Sequence, residues 1–298
     1  MEQRGEPIGK EWLAQRFEEN RAHLRSVAYR MLGSITDAED AVQETWLRLS
    51  RAENRHIDNM RGWLTTVVGR ICLDMLRSRA SKREESLDTA IPDFIVSRKG
   101  NPQDEVGLAD SLGLALLVVL DTLTPAERLA FVLHDMFALP FEEIAPIVGR
   151  SPTAARKLAS RARMRVQGAA LPDKDTARQR KVVDAFVAAA QTGDLEALIT
   201  VLDPNVVLLA DRAPALKGIR GAAEVAKQAL GFSKVAQKAE SVLVNGTPGI
   251  ISWFPNGKPM AVLAFIVAND RIAEIYVLSD PDRLRQVIER GSVGAKSL

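Results

Sequence analysis

The chain has 298 residues, 46% of them hydrophobic, and a net charge of +2, enough for two or three small domains with separate cores. The polar start Met1-Glu2-Gln3-Arg4, and no apolar run near the roughly 20 residues of a membrane span, argue against secretion and membrane insertion. A single cysteine, Cys72, excludes a disulfide framework and a thiolate zinc site, and a cytoplasmic protein is expected. Basic residues cluster at 70–83 and 150–165, so local charge says more than the total.

From Leu13 to about Arg83 apolar residues recur at helical spacing with few Gly or Pro, which predicts three or four packed helices. Thr36-Asp37-Ala38-Glu39 predicts a helix start in which Thr36 caps and Glu39 closes a capping box. The helix then runs through Ala41, Val42, Trp46 and Leu49. Residues 84–105 hold Pro92, Gly100 and Pro102 with only scattered apolar positions, which predicts an extended tether. A second helical block follows. Thr124-Pro125-Ala126-Glu127 is a firm helix start, Pro140 and Gly149 bracket a short helix over Phe141–Val148, and Ser151-Pro152 opens the next with Ser151 as cap.

Beyond Leu171-Pro172-Asp173 two helices, 180–192 and 193–202, precede strand candidates at 206–210, 239–244, 249–254, 260–267 and 272–278. Turn residues such as Asn256-Gly257 and Asn269-Asp270 separate several of them. The third part therefore reads as α+β.

The pair of helices joined across Gly149-Arg150-Ser151 has the proportions of a helix-turn-helix. On its second helix Ala155, Leu158, Ala159, Ala162 and Val166 form an inward stripe. Thr153, Arg156, Lys157, Ser160, Arg161 and Arg163 then point outward, a basic and hydroxyl-bearing face suited to phosphates and guanine edges. In the first block Asp37, Glu39, Asp40 and Glu44 lie within about two turns, an acidic surface that repels DNA and suits a basic protein partner. Arg70, Arg77, Arg79, Lys82 and Arg83 reverse that polarity on a later helix. Between them the polar loop 54–59, which includes Arg55, His56, Asp58 and Asn59, can hydrogen-bond the edge of an unstacked base. Tyr29, Trp46 and Trp63 fall on apolar faces and read as core, and His134 as structural.

Tyr29-Arg30-Met31-Leu32-Gly33, then 37–47 (DAEDAVQETWL), 61–68 (RGWLTTVV) and 70–78 (RICLDMLRS), resemble the region 2 signature of extracytoplasmic-function sigma factors. With the helix-turn-helix of region 4 the resemblance covers about 150 residues. It implies a subunit that gives RNA polymerase its promoter specificity. Its partners would be core RNA polymerase, bound at the β′ clamp helices through Asp37, Glu39, Asp40, Gln43 and Glu44, and promoter DNA. The minus-10 element would be met by Arg55, His56, Asp58, Asn59, Arg70 and Arg77, and the minus-35 element by Ser151, Thr153, Arg156, Lys157, Ser160 and Arg161. The resemblance also implies that the linker threads toward the polymerase active site.

After Lys181 the order of elements resembles the SnoaL-like fold, a curved sheet wrapped with helices into a cone around a pocket that an unidentified small ligand could occupy. Some members are enzymes, but all three histidines, His23, His56 and His134, precede this part, leaving Asp203, Asp211 and Glu240 as candidate bases with no matched pair. Sigma factors carrying this extension form a subgroup in which it modulates activity in cis. Leu171-Pro172-Asp173 and Asp280-Pro281-Asp282-Arg283-Leu284 resemble two of its motifs, the latter a regulatory one. Asp211-Arg212-Ala213-Pro214-Ala215 stands where a glycine-rich motif is expected.

The expected fold is multidomain, with two all-α sigma domains, 11–83 (region 2) and 108–170 (region 4), joined by a linker, 84–107, and followed by an α+β SnoaL-like cone, 176–290. No catalytic residue, metal or cofactor is expected. Two other readings stay open: a helix-turn-helix regulator independent of polymerase, and a SnoaL-type enzyme fused to a DNA-binding module.

Overall fold

The computed structural model describes residues 10–51, 57–83, 91–97, 114–168, 175–212, 218–236 and 238–293. The chain divides into two compact units, Met1–Leu87 with Val119–Gly168, and Asp88–Val118 with Ala169–Leu298.

The first unit is helical. It holds α1 (Lys10–Leu32), α2 (Ile35–Arg51) and α3 (Met60–Arg83). The end of α4 (Leu114–Asp121) leads into α5 (Pro125–Phe131), a π-helical turn (Val132–Met136), α6 (Phe141–Val148) and α7 (Pro152–Gly168). Helix α1 stops because Gly33 takes φ 69°, its amide donating to the Tyr29 carbonyl at 2.8 Å. Two residues then suffice to turn the chain. The cap of α2 is consequently Ser34, whose Oγ accepts the Asp37 amide at 3.3 Å, and not Thr36, which lies exposed inside the first turn. The glycine lets the next helix begin earlier than the sequence pattern suggests. The capping box at Thr124 and Glu127 forms as expected, and Gly149 adopts the left-handed φ of 68° that the helix-turn-helix corner requires.

Phe17, Leu24, Val27, Tyr29, Leu64, Val68 and Cys72 fill the core of α1–α3. Burial pushes the Cys72 thiol up, so this cysteine is an inert core residue. Trp46 and Trp63 are half-buried, the first 5.2 Å from the Phe17 ring. The α5–α7 part packs directly on this bundle. At Gly69 a Cβ would stand 3.1 Å from Leu133 Cδ1, so the missing side chain admits a close helix approach. The contact is fastened by Arg128, 2% exposed, whose Nε and Nη2 each donate to the Arg30 carbonyl at 3.2 Å while Nη1 meets Asp121 Oδ1 at 3.2 Å. Arg30 lies in the last turn of α1, where carbonyls lack helical partners. Arg128 supplies the donors.

The second unit is the α+β cone. Helices α8 (Thr176–Thr192) and α9 (Leu195–Val201) lead into β2 (Leu202–Ala210), β3 (Ile219–Arg220) and α10 (Ala222–Ser233). The meander β4 (Lys238–Val244), β5 (Thr247–Trp253), β6 (Pro259–Ala268) and β7 (Arg271–Leu278) follows, then α11 (Pro281–Val293). A short strand β1 (Val96–Ser97) completes a seven-stranded sheet of order β1-β4-β5-β6-β7-β2-β3, antiparallel except for β2 against β7. Period-two alternation gives the sheet two apolar faces. One packs Leu208, Ile250, Phe265 and Val277 with Phe186 of α8, Leu198 of α9 and Val225 of α10. The other packs Val242, Ile251, Val262 and Tyr276 with Leu284 of α11 and with Ile91, Phe94, Val96, Leu114 and Ala115.

That second core departs from the sequence reading. Residues 91–97 dock on the C-terminal sheet, with Val96–Ser97 as its edge strand, rather than forming a bare tether, and Leu114 and Ala115, expected in the region 4 block, are buried in the same cluster. Four apolar residues, Ile91, Phe94, Ile95 and Val96, beside one proline and one acid carry too little periodicity to read as an element. Strand β3 and helix α10 also went without a sequence signal.

Candidate polymerase and promoter surfaces

On α2 the acidic residues are largely engaged within the unit. Asp37 pairs with Arg79, Glu39 with Arg25 at 3.2 Å, and Glu44 with Arg48 at 2.9 Å. Such exposed pairs contribute little stability. They do cancel charge, so the uniformly acidic surface expected from the sequence shrinks to Asp40, which is exposed beside the exposed Gln43 and Leu47. These three fall at helical spacings of three and four along one stripe. Leu47 was missed by the sequence reading although its spacing from Asp40 signals the same face.

Of the expected minus-10 residues, Arg55 and His56 lie outside the described residues. Asp58 and Asn59 are exposed ahead of α3, and the Asn59 Oδ1 accepts the Gly62 amide at 2.9 Å, so this side chain caps α3. Arg70 and Arg77 are exposed on α3; Arg77 lies 3.9 Å from Asp74, and Arg70 Nη2 donates to the Pro146 carbonyl of α6 at 3.4 Å. Nearby, His23 is held neutral: burial first, then Arg61 and Arg30, lower its pKa to about 4. Arg61 donates to its Nδ1 at 3.0 Å, which leaves Nε2–H to donate to the Thr65 hydroxyl at 3.0 Å.

On α7 Ala155, Ala159 and Ala162 are buried and Leu158 and Val166 half-buried, whereas Thr153, Arg156, Lys157, Ser160 and Arg161 are exposed; Arg163, expected outward, is half-buried and pairs with Asp135. Ser151 Oγ accepts the Ala154 amide at 3.3 Å. Arg156 sits 5.3 Å over the Phe141 ring, which pre-orders it. Arg161 is less free, lying 3.7 Å from Glu127, a carboxylate that also takes Arg165 at 2.9 Å and the Thr124 cap. His134 donates its Nδ1–H to the Leu139 carbonyl at 2.9 Å and stacks on Phe141, a structural role.

In the C-terminal unit the Asp280–Leu284 motif is a latch. The Asp280 Oδ1 accepts the amides of Asp282 and Arg283, both at 3.0 Å, capping α11; the Arg283 amide is the main cause of its lowered pKa. Pro281 is the first residue of that helix, Asp282 is exposed, and Leu284 is 2% exposed in the core that holds the linker. Arg283 Nη2 donates to the Ile91 carbonyl at 3.3 Å and to Asp93 Oδ1 at 3.1 Å. Asp211 accepts the Ser279 amide and hydroxyl and the Asp280 amide, and faces Arg283 at 3.7 Å. Asn245, at φ 51° in the β4–β5 turn, takes the Ile95 amide on its Oδ1 at 2.8 Å while its own amide donates to the Ile95 carbonyl at 2.8 Å.

The cone holds a cavity of about 340 Å³ that opens partly to solvent. None of the candidate bases lines it: Asp203 accepts its neighbour Asn205's amide at 2.8 Å, Asp211 belongs to the latch, and Glu240 is absent from the walls. Among the described residues there is no group of three or more metal-ligating side chains, and no helix is long and apolar enough to cross a membrane.

Two helical parts, the second ending in a basic helix-turn-helix, are the apparatus of a sigma-70-type initiation factor, and the comparisons agree. Sigma-70 region 2 matches residues 16–82 and Sigma-70, region 4 matches residues 113–166. The Mycobacterium tuberculosis Probable ECF RNA polymerase sigma factor SigI is 38% identical over 286 residues, covering 94% of this chain and 95% of that protein. The ECF RNA polymerase sigma factor SigJ of the same species is 38% identical over 286 residues, covering 90% and 91%. The crystal structure of that species' extracytoplasmic function sigma factor SigJ matches with a TM-score of 0.73 at 34% identity, over 91% of this chain and 98% of that one. The chain belongs to the extracytoplasmic-function RNA polymerase sigma factors, the subunits that direct promoter-specific transcription initiation.

Proposed function

We propose that this sigma factor docks on the β′ clamp helices through the exposed stripe of α2, opens and reads the minus-10 element with the 54–59 loop and Arg70 and Arg77 of α3, and reads the minus-35 element with the outer face of α7. It acts in the cytoplasm, and its C-terminal cone is a regulatory module rather than an enzyme. Among the described residues no carboxylate or histidine lines the cavity, which supports this reading.

The observation that carries the regulatory reading is the captured linker. Residues Ile91–Val96 are bonded and buried in the cone domain by Asn245, Arg283 and Leu284. By family resemblance that same linker threads into polymerase. A segment buried in one core cannot simultaneously occupy another, so capture opposes initiation and release permits it.

The test is promoter-specific transcription with purified core polymerase, comparing the wild type with the unlatched full-length variant Asn245→Ala/Arg283→Gln. More transcript from the unlatched protein supports inhibition in cis. Equal or lower output refutes it. No transcript from either protein, despite duplex DNA binding, would overturn the proposed docking and promoter-opening roles.

A further inference from the structure

The cavity deserves a function because a well-packed interior does not leave one this large: about 340 Å³ lies within the roughly 300–1,000 Å³ range of small-molecule sites. Its walls include Phe186 of α8, Ala229 and Phe232 of α10, and Ile250, Leu263 and Ile275 of the sheet. Lys238, at the exposed start of β4, is the one ionisable residue among the described wall residues. In register Lys238 pairs with Trp253, which packs on the other face of the sheet. Ser252 is already committed, its hydroxyl donating to the Ala261 carbonyl at 3.2 Å. Such a cavity offers an ionised ligand no buried partner. Phe232, one of the wall residues, is 37% exposed.

The same strands serve both faces. Ile250, Leu263 and Ile275 face the cavity, while their neighbours Ile251, Val262, Ala264 and Tyr276 belong to the core that buries Ile91, Phe94 and Val96. The cavity face of β5–β7 already packs against α8, α9 and α10, and an occupant adds contacts to the wall atoms that border the cavity.

We propose that the cone is a binding site for an uncharged, predominantly apolar small molecule, and that its occupancy tightens the hold on the linker segment on the opposite face of the sheet. Binding stands on the cavity alone; its regulatory meaning rests on the linker reading above. The mechanism is linkage: a ligand that prefers the firmer sheet favours every contact made by that sheet.

The experiment uses the full-length protein and the uncharged probe N-phenyl-1-naphthylamine. Expected are a saturable single-site fluorescence rise and its loss in Ala229→Trp and Ala190→Trp, which fill the cavity from two different helices. The anionic 1-anilinonaphthalene-8-sulfonate should bind at least roughly tenfold more weakly, for want of a buried partner. Hydrogen exchange of residues 91–97 should slow with saturating probe while that of α1–α3 stays unchanged. Absent saturation, or probe binding that survives in both correctly folded filled variants, overturns the site. Equal binding of the anion overturns the ligand class. Binding without slower exchange at 91–97 overturns the coupling. None of these readouts involves polymerase or promoter, so failure here is distinct from failure of the initiation reading.

Discussion

Replacing Arg128 by Met tests the contact between the region 2 bundle and the region 4 helices within the first unit. Methionine keeps much of the apolar stem but removes all three hydrogen bonds, two to the Arg30 carbonyl and one to Asp121. The Asp121 side chain is 37% exposed and recovers water, whereas the helix-end carbonyl is left buried without those donors. Loss of those donors costs about 1–3 kcal/mol, partly offset because the guanidinium, whose pKa burial lowers, no longer has to be desolvated. A net loss of about 2 kcal/mol corresponds to a fall in melting temperature of about 4–8 °C. The consequence for function has the opposite sign. The minus-10 and minus-35 elements lie about 25 base pairs apart, about 85 Å at about 3.4 Å per pair, so two parts joined by a 3.2 Å hydrogen bond must separate before both elements are read. Every kcal/mol in the closed contact therefore opposes holoenzyme formation. Arg128→Met should raise apparent affinity for core polymerase by up to about 30-fold in a fluorescence-anisotropy titration. A lower melting temperature with unchanged or weaker core affinity would refute the closed-state argument and leave Arg128 as a fold stabiliser only.

Three further outcomes are expected. Arg283→Gln should expose residues 91–97 to limited proteolysis about fivefold faster, the factor expected for about 1 kcal/mol of lost latch, while α1–α3 stay equally resistant. His23 is neutral when folded, with a pKa near 4 against 6.5 unfolded; the unfolded chain binds the extra proton between those values, so stability is full above pH 6.5 and declines as pH falls toward 4. Urea melts at pH 7.5, 5.5 and 4.5 should show that decline, and His23→Gln should flatten it. Arg156→Ala should weaken minus-35 binding by about 1–3 kcal/mol if the side chain contacts a base edge. Arg161→Ala should cost less binding and more stability, because Glu127 holds that side chain; equal binding losses at both positions would contradict this division.

What the sequence made legible depended on how the information was written. Helices α6 and α7 follow from local punctuation, Pro140, Gly149 and Ser151, and their faces from a strong 3.6-residue stripe, so Ala155, Ala159 and Ala162 were identifiable as core. Charge composition misled on α2, because the partners that neutralise Glu39 and Asp37 come from α1 and α3 and no spacing rule within one helix reveals them. Linker capture was hidden for the same reason. Phe94 is 1% exposed only because β4, β5 and α11, about 150–190 residues later, bring a face to it. Asp211 stands in a segment that departs from its expected motif, yet it organises Ser279 and Asp280; a single carboxylate with the right backbone neighbours performs the structural task.

The neutralisation on α2 also sharpens where polymerase should bind. An interface core needs an apolar anchor within a polar rim, and on this helix the exposed Leu47 lies seven residues from Asp40 with Gln43 between them. Glu39 and Glu44 gain less from a basic partner, since docking must first break the pairs with Arg25 and Arg48. Leu47→Ala should therefore reduce core affinity by about 1–2 kcal/mol, roughly 5- to 30-fold, by loss of buried apolar area. Asp40→Asn should weaken it chiefly through a slower, salt-sensitive association rate. Glu39→Gln should change affinity by less than about 0.5 kcal/mol, as expected of an exposed pair. Surface-plasmon titrations at two salt concentrations separate the three. If Glu39→Gln costs as much as Leu47→Ala, the docking surface is the whole acidic helix, and the ion pairs of the free protein are exchanged for polymerase contacts on binding.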